Sequence, residues 1–164
     1  MNDLLLERDA VISECERYRY LLRRSWDHDL PRALFVMLNP STADANIDDA
    51  TIRSCTRLLR PKGYGSFEVV NLFGWRATDP SELAKAADPV GPDNDRIAEA
   101  AISRCDIAIC AWGAHRMAVG RGRATAMTGL IRGQRPAAYC LGTTKARAPK
   151  HPLYIKTGTP LVAY

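Results

Sequence analysis

The run Ala33-Leu34-Phe35-Val36-Met37-Leu38, followed at once by Asn39-Pro40-Ser41-Thr42-Ala43-Asp44, decides how this chain of 164 residues is read. Consecutive apolar residues without polar alternation describe a strand covered on both faces, and the polar, turn-prone residues behind them describe its carboxyl end. Three more runs rich in β-formers repeat the pattern at 67–73, 107–112 and 137–141. Helical periodicity lies between them. Ile52, Cys55, Leu58 and Leu59 share one face behind the acidic start Asp48-Asp49, and Pro61 and Gly63 end that segment. Ile97, Ala98, Ala101, Ile102 and Cys105 share another face behind Gly91-Pro92-Asp93, and a third helix is predicted over 121–132, stopped by Gly133 and Pro136.

Strands alternating with helices predict an α/β fold, a three-layer α/β/α arrangement around a central, mainly parallel sheet of about four strands. The segment 10–26 holds Val11-Ile12 and a Tyr18/Tyr20/Leu22 alternation, which reads as a short amino-terminal hairpin added at the edge, with a helix as the alternative. No repeat, low-complexity stretch or linker interrupts the chain, so residues 1–164 read as one domain.

Composition excludes several classes. At 46% apolar and 25% charged, the chain has the balance of a globular protein, and its length suffices to bury a core without staples. No apolar run approaches the roughly 18–20 residues of a membrane-spanning helix, so no membrane partner is expected. Met1 to Arg8, with Asp3, Glu7 and three leucines, does not read as a secretory signal. Cys15, Cys55, Cys105, Cys110 and Cys140 are odd in number, widely spaced and without a CxxC pair. They predict reduced, mostly buried thiols in a cytoplasmic protein, with no zinc or iron–sulfur site.

The net charge of +5 is unevenly distributed. Residues 1–106 hold 14 Lys/Arg and 18 Asp/Glu, whereas residues 107–164 hold 9 Lys/Arg and no acid. A one-sided positive field favours polyanions, nucleotides or phosphate-bearing substrates. The plainer reading is a solvated basic face.

Ligands of open α/β sheets bind beyond the carboxyl ends of the strands. Those positions here are polar: Asn39 to Asp44 after the first run, then Asn71-Leu72-Phe73-Gly74-Trp75-Arg76-Ala77-Thr78-Asp79-Pro80, then Trp112-Gly113-Ala114-His115, then Gly142-Thr143-Thr144 leading to His151-Pro152-Leu153-Tyr154. Each has a structural explanation alone. Asn39 before Pro40 makes a turn, Asn71 satisfies backbone groups at a strand end, and a single histidine or tryptophan packs. Together, at successive strand ends, they predict one site. Gly120-Arg121-Gly122-Arg123 lacks the Lys-Ser/Thr of a phosphate loop. There is no Gly-x-Ser-x-Gly elbow, and His28, His115 and His151 are too scattered for a metal site. The Asp48-Asp49 pair reads as helix-start charge. No metal and no cofactor are expected.

The order of these motifs, from Arg19-Tyr20 through Asn39-Pro40, Asp49-Ala50-Thr51-Ile52, Gly63-Tyr64-Gly65, Asn71 to Pro80, Gly91-Pro92-Asp93-Asn94-Asp95 and Ala111-Trp112-Gly113 to His151-Pro152-Leu153-Tyr154, resembles the family known as domain of unknown function 1643 over about residues 10–155. A more remote resemblance is to the uracil-DNA glycosylase superfamily. There a first-strand motif supplies an Asp or Asn that positions water, which Asn39-Pro40 resembles. A second strand ends in an Asn-containing segment like that from Asn71 to Pro80, a third ends near a Gly as 107–113 does, and a late His-Pro motif like His151-Pro152 brings an imidazole to the base carbonyl.

That resemblance implies a uracil-glycosylase-like fold and a nucleobase-, nucleotide- or nucleic-acid-binding protein that hydrolyses N-glycosidic bonds. Asn39 and His151 are the implied catalytic residues. Ser41, Thr42, Asp44, Asn71, Phe73, Trp75, Arg76, Trp112 and Gly113 surround the substrate, with Phe73, Trp75 or Trp112 stacking on a base. Arg121, Arg123, Lys145, Arg147 and Lys150 are expected to hold phosphates. Met37, Ser41 and Leu153 stand where the glycosylase motifs usually have Gly, Gly and Ser. Those departures favour one alternative, a binding module without the chemistry, and the same pocket would serve a second, an enzyme that modifies a base or nucleotide without cleaving it.

Overall fold

In the computed structural model, which describes residues 7–120, 122–134 and 138–164, the chain runs β1 (Glu7–Ile12), β2 (Arg19–Ser25), β3 (Arg32–Met37), α1 (Ala50–Leu59), β4 (Ser66–Asn71), α2 (Asn94–Arg104), β5 (Ile107–Cys110), α3 (Arg116–Gly120), α4 (Arg123–Gln134), β6 (Tyr139–Cys140) and β7 (Val162–Ala163). Short 3-10 turns follow α1 at Arg60–Lys62 and β4 at Pro80–Lys85. All seven strands join one sheet in the order β1-β2-β4-β3-β5-β6-β7.

The sheet corrects the sequence-based expectation. It is mixed and seven-stranded, not a mainly parallel sheet of four strands in a three-layer α/β/α arrangement. β3 runs parallel to β4 and β5, and β5 to β6, but β1–β2, β2–β4 and β6–β7 are antiparallel. The amino-terminal segment does turn back on itself as β1 and β2, with a register shift between Val11 and Ile12. It stands at the edge of the sheet, as expected, with β1 outermost and β2 pairing Leu22 with Val69 and Ser25 with Ser66 of β4. Leu21 and Leu22 are both buried and enter the cores on opposite faces, which makes β2 an interior strand.

Each face of the sheet carries its own core. Val36, Val70, Leu72, Ala108 and Cys110 pack against Ala98, Ala101 and Ile102 of α2 and Met127 and Ile131 of α4. On the other face, Phe35, Met37, Phe67, Val69 and Ile109 pack against Ile52, Cys55, Leu58 and Leu59 of α1. The expected apolar face of α1 is thus the buried one. Asp49 caps that helix, its carboxylate accepting the Ile52 N–H at 2.9 Å.

Two buried ionic groups shape the framework. Glu68 of β4 is fully buried and accepts from Arg23 of β2 at 2.6 and 2.8 Å and from Arg104 at the end of α2 at 2.9 and 3.0 Å. Arg24, 0% exposed, donates to the Asp48 carboxylate at 2.8 Å and to the Asp44 carbonyl. A buried guanidinium persists only where its donors are matched, and here the match comes from the loop that carries α1. Among the described residues no helix is long and apolar enough to cross a membrane.

Candidate functional site

Where β3 and β4 end side by side, their last residues meet the amino-terminal turn of α1 and the segment after β6. They enclose a cleft of about 280 Å³ whose walls include Arg19, Asn39, Ser41, Asp49, Thr51, Asn71, Thr78 and His151. This lies at the carboxyl ends of parallel strands, where side chains project beyond the sheet and backbone groups run out of partners.

Asn39 holds the rim. Its Nδ2 donates to the carbonyls of Pro40 at 3.0 Å and Ala77 at 2.8 Å, and Ala77 N–H returns a bond to the Pro40 carbonyl at 2.9 Å. Both amide hydrogens are committed, so what Asn39 retains is the acceptor capacity of Oδ1.

Asn71 differs. It is 1% exposed, its backbone carbonyl accepts from Asn94 Nδ2 at 3.0 Å, and neither Nδ2 nor Oδ1 of its own side chain bonds to any described residue. A buried carboxamide left unpaired costs about 1–3 kcal/mol. It is a donor and an acceptor held side by side in the cleft.

His151 supplies a third polar group. Its Nδ1 accepts the Leu153 N–H at 3.2 Å, so the proton of the neutral ring sits on Nε2 and that nitrogen is a donor. Burial holds the imidazole below its ordinary value, with the Asp49 charge acting the other way. Gly113 lies near the Cβ of this histidine. It adopts φ +75, which favours glycine, and a Cβ there would stand 3.8 Å from the His151 Cβ.

The charged members are Arg19 and Asp49. Arg19 is 3% exposed, donates from one terminal nitrogen to the Ala43 carbonyl at 2.8 Å, and leaves Nε without a described partner. Burial pushes its guanidinium down to about 10, opposed by the attraction of Asp49. Asp49 anchors one carboxylate oxygen on the Ile52 N–H. Every wall of the cleft therefore falls between Arg19 at the start of β2 and His151.

The chain belongs to the family described as Protein of unknown function (DUF1643). The family match covers residues 19–153, beginning at the cleft arginine and ending just past the cleft histidine. No curated protein and no solved structure matches the chain.

In this DUF1643 protein the residues expected at the site divide sharply. Asn39, Ser41, Asn71 and His151 line the one cleft. Thr42 is exposed outside it. Asp44 closes a turn, its carboxylate accepting the N–H groups of Asn46 at 2.8 Å and Ile47 at 2.9 Å, which hold it below the usual carboxylate range. Arg76 reaches away to the Glu16 carbonyl at 3.3 Å. Gly113 is not part of the cleft wall and lies near the Cβ of His151.

The expected aromatic wall is corrected. Phe73 is fully buried in the core under α2, because Leu72 and Phe73 continue the ladder past β4 onto the carbonyls of Met37 and Leu38. Trp75 packs edge-on against Tyr18 with ring centres 5.4 Å apart, beside a separate depression of about 310 Å³. Trp112 packs edge-on against Tyr164 at 5.5 Å, at a groove of about 810 Å³ beside α4. Among the described residues, none of the three lines the cleft.

The expected phosphate-binding set also divides. Arg123 donates to the Leu72 carbonyl at 2.9 Å and pairs through two nitrogens with Asp95, so it is a structural tie. Lys145, Arg147 and Lys150 are exposed on the loop that leads to His151. Arg121 lies outside the described residues. Arg19 and Asp49 were absent from the expected site. The sequence places Arg19 in the amino-terminal hairpin and reads Asp49 as helix-start charge; the dipeptide Arg19-Tyr20 among the family motifs is the signal that bears on the arginine. Among the described residues no group of three or more His, Cys, Asp or Glu side chains is arranged around a metal position.

Proposed function

We propose that the cleft binds a nucleobase, presented by a nucleoside, nucleotide or nucleic acid, and that the protein hydrolyses its N-glycosidic bond. The observation that carries this reading is the buried Asn71 carboxamide, with donor and acceptor both without a described partner, in a cleft that His151, protonated at Nε2, also lines. A planar heterocycle with adjacent C=O and N–H groups satisfies such a carboxamide in a paired fashion. Hydrolysis leaves negative charge on the departing base, and a fixed N–H donor in a partly desolvated cleft stabilises it more than water does. The resemblance of Asn39-Pro40, the segment from Asn71 and His151-Pro152 to uracil-DNA glycosylase motifs points the same way.

The exposed Lys145, Arg147 and Lys150 favour a ligand that carries phosphates, and the buried thiols of Cys55, Cys110 and Cys140 suit a cytoplasmic setting. One observation favours the second reading, a binding module without the chemistry: no tryptophan or phenylalanine among the described residues backs the cleft to hold a flipped base. The test is calorimetric titration of the protein with free bases and nucleosides containing adjacent C=O and N–H groups. Saturable binding that Asn71→Ala abolishes supports the reading, and equal binding by the two proteins rejects it.

A further inference from the structure

We propose that Asp49 is the general base of this cleft, taking the proton of the attacking water. The assignment rests on the hydrolase reading above and goes beyond the residues that the glycosylase motifs supply.

The argument is one of elimination. Hydrolysis of a C–N bond by water needs a group that accepts a proton. Asn39 orients water through Oδ1 but has no basic atom, and its nitrogen is tied to the Pro40 and Ala77 carbonyls. His151 is excluded from this role, since Nδ1 already accepts the Leu153 N–H and Nε2 carries the ring hydrogen. Arg19 is a cation. Asn71, Ser41, Thr51 and Thr78 are neutral at any working pH. Asp49 is the carboxylate in the cleft wall.

Its anchoring suits the task. One oxygen is fixed by the Ile52 N–H at 2.9 Å, which orients the carboxylate and leaves the other oxygen to work. An ordinary helix cap faces solvent; this one borders a cleft floored by a 1% exposed carboxamide that has no described partner. The Arg19 guanidinium and Asp49 attract one another, so the carboxylate is balanced by a charge in the same wall.

The step balances as follows. The water oxygen forms its bond to the anomeric carbon while its proton passes to Asp49. The C–N bond breaks and its electron pair leaves on the base, whose carbonyl oxygen accepts a hydrogen bond from His151 Nε2–H. The proton then moves from Asp49 through solvent to the base anion.

Asp49→Asn tests this cleanly, because Asn caps a helix as well as Asp does. The substrate is whichever member of a panel of uracil-, hypoxanthine- and xanthine-containing oligonucleotides and nucleosides the wild-type protein cleaves fastest. Single-turnover release is measured beside calorimetric affinity for the free base and the thermal midpoint. The expected result is release slowed about 10²–10⁴-fold, with affinity and midpoint unchanged. Release at the wild-type rate by Asp49→Asn overturns the role of Asp49 and leaves the hydrolase reading standing. Failure of the wild-type protein to release any base overturns both.

Discussion

Asn94 donates its side-chain N–H to the backbone carbonyl of Asn71 at 3.0 Å, tying the start of α2 to the end of β4. The bond fixes Asn71 through its main chain and leaves its side chain with no partner among the described residues. The two asparagines therefore respond oppositely to truncation. Asn94→Ala strands a buried carbonyl and is expected to destabilise the protein by about 1–3 kcal/mol. Asn71→Ala removes an amide that is already unpaired, and is expected to leave the ligand-free protein as stable or more so while abolishing base binding. Urea unfolding of both variants, with titration of the second, checks the contrast.

Asp49 has a capping role separable from its proposed chemistry. Asp49→Ala removes the acceptor for the Ile52 N–H and is expected to cost about 1 kcal/mol, whereas Asp49→Asn costs close to nothing. Thermal unfolding of the pair measures it. Equal midpoints for the two variants argue against the cap.

His151 makes stability depend on pH. Burial lowers its folded-state value below the ordinary 6.5, so between the two values the unfolded chain binds the proton and the folded chain does not. Its contribution is present in full above pH 6.5 and declines as the pH falls through the folded-state value. His151→Gln is expected to flatten the stability profile over that acid range, read by urea melts from pH 5 to 8. An unchanged slope locates the dependence in other groups.

Much of this architecture is legible before folding, and the reasons for the rest are physical. The runs at 33–38, 67–73 and 107–112 read as strands because both their faces are covered, which removes polar alternation. β2 hides the same property behind Arg19, Arg23 and Arg24. Arg19 and Arg24 are buried and Arg23 is half-buried because the carbonyls of Ala43 and Asp44 and the carboxylates of Asp48 and Glu68 come to meet them, and no local pattern announces partners twenty or more residues away. That hidden strand turned a parallel expectation into a mixed sheet. At the site, Asn39, Asn71 and His151 were readable as strand-end polar residues. Asp49 reads in the sequence as helix-start charge, and its place in the cleft wall depends on α1 packing beneath β3. Phe73 misled because a strand's apolar run does not stop where its regular pairing does.

Salt sensitivity separates a polymer from a small ligand. If a nucleic acid binds, replacing Lys145 and Lys150 together is expected to flatten the dependence of affinity on salt by about two contacts. Arg123→Ala leaves the slope unchanged and lowers the thermal midpoint, because Arg123 is already bonded to Asp95 and the Leu72 carbonyl. Oligonucleotide titrations at several salt concentrations read the first effect, and unfolding reads the second. A flat slope in the wild-type protein points to a free nucleotide or nucleoside.

The central claim is tested most directly by chromatographic detection of free base released from duplex and single-stranded oligonucleotides carrying modified bases, with a panel of free nucleosides and nucleotides run beside them. The account predicts a free base from at least one substrate, lost in Asn71→Ala and strongly slowed when His151 is replaced. Intact glycosidic bonds throughout both panels, under conditions where the protein is folded, contradict it.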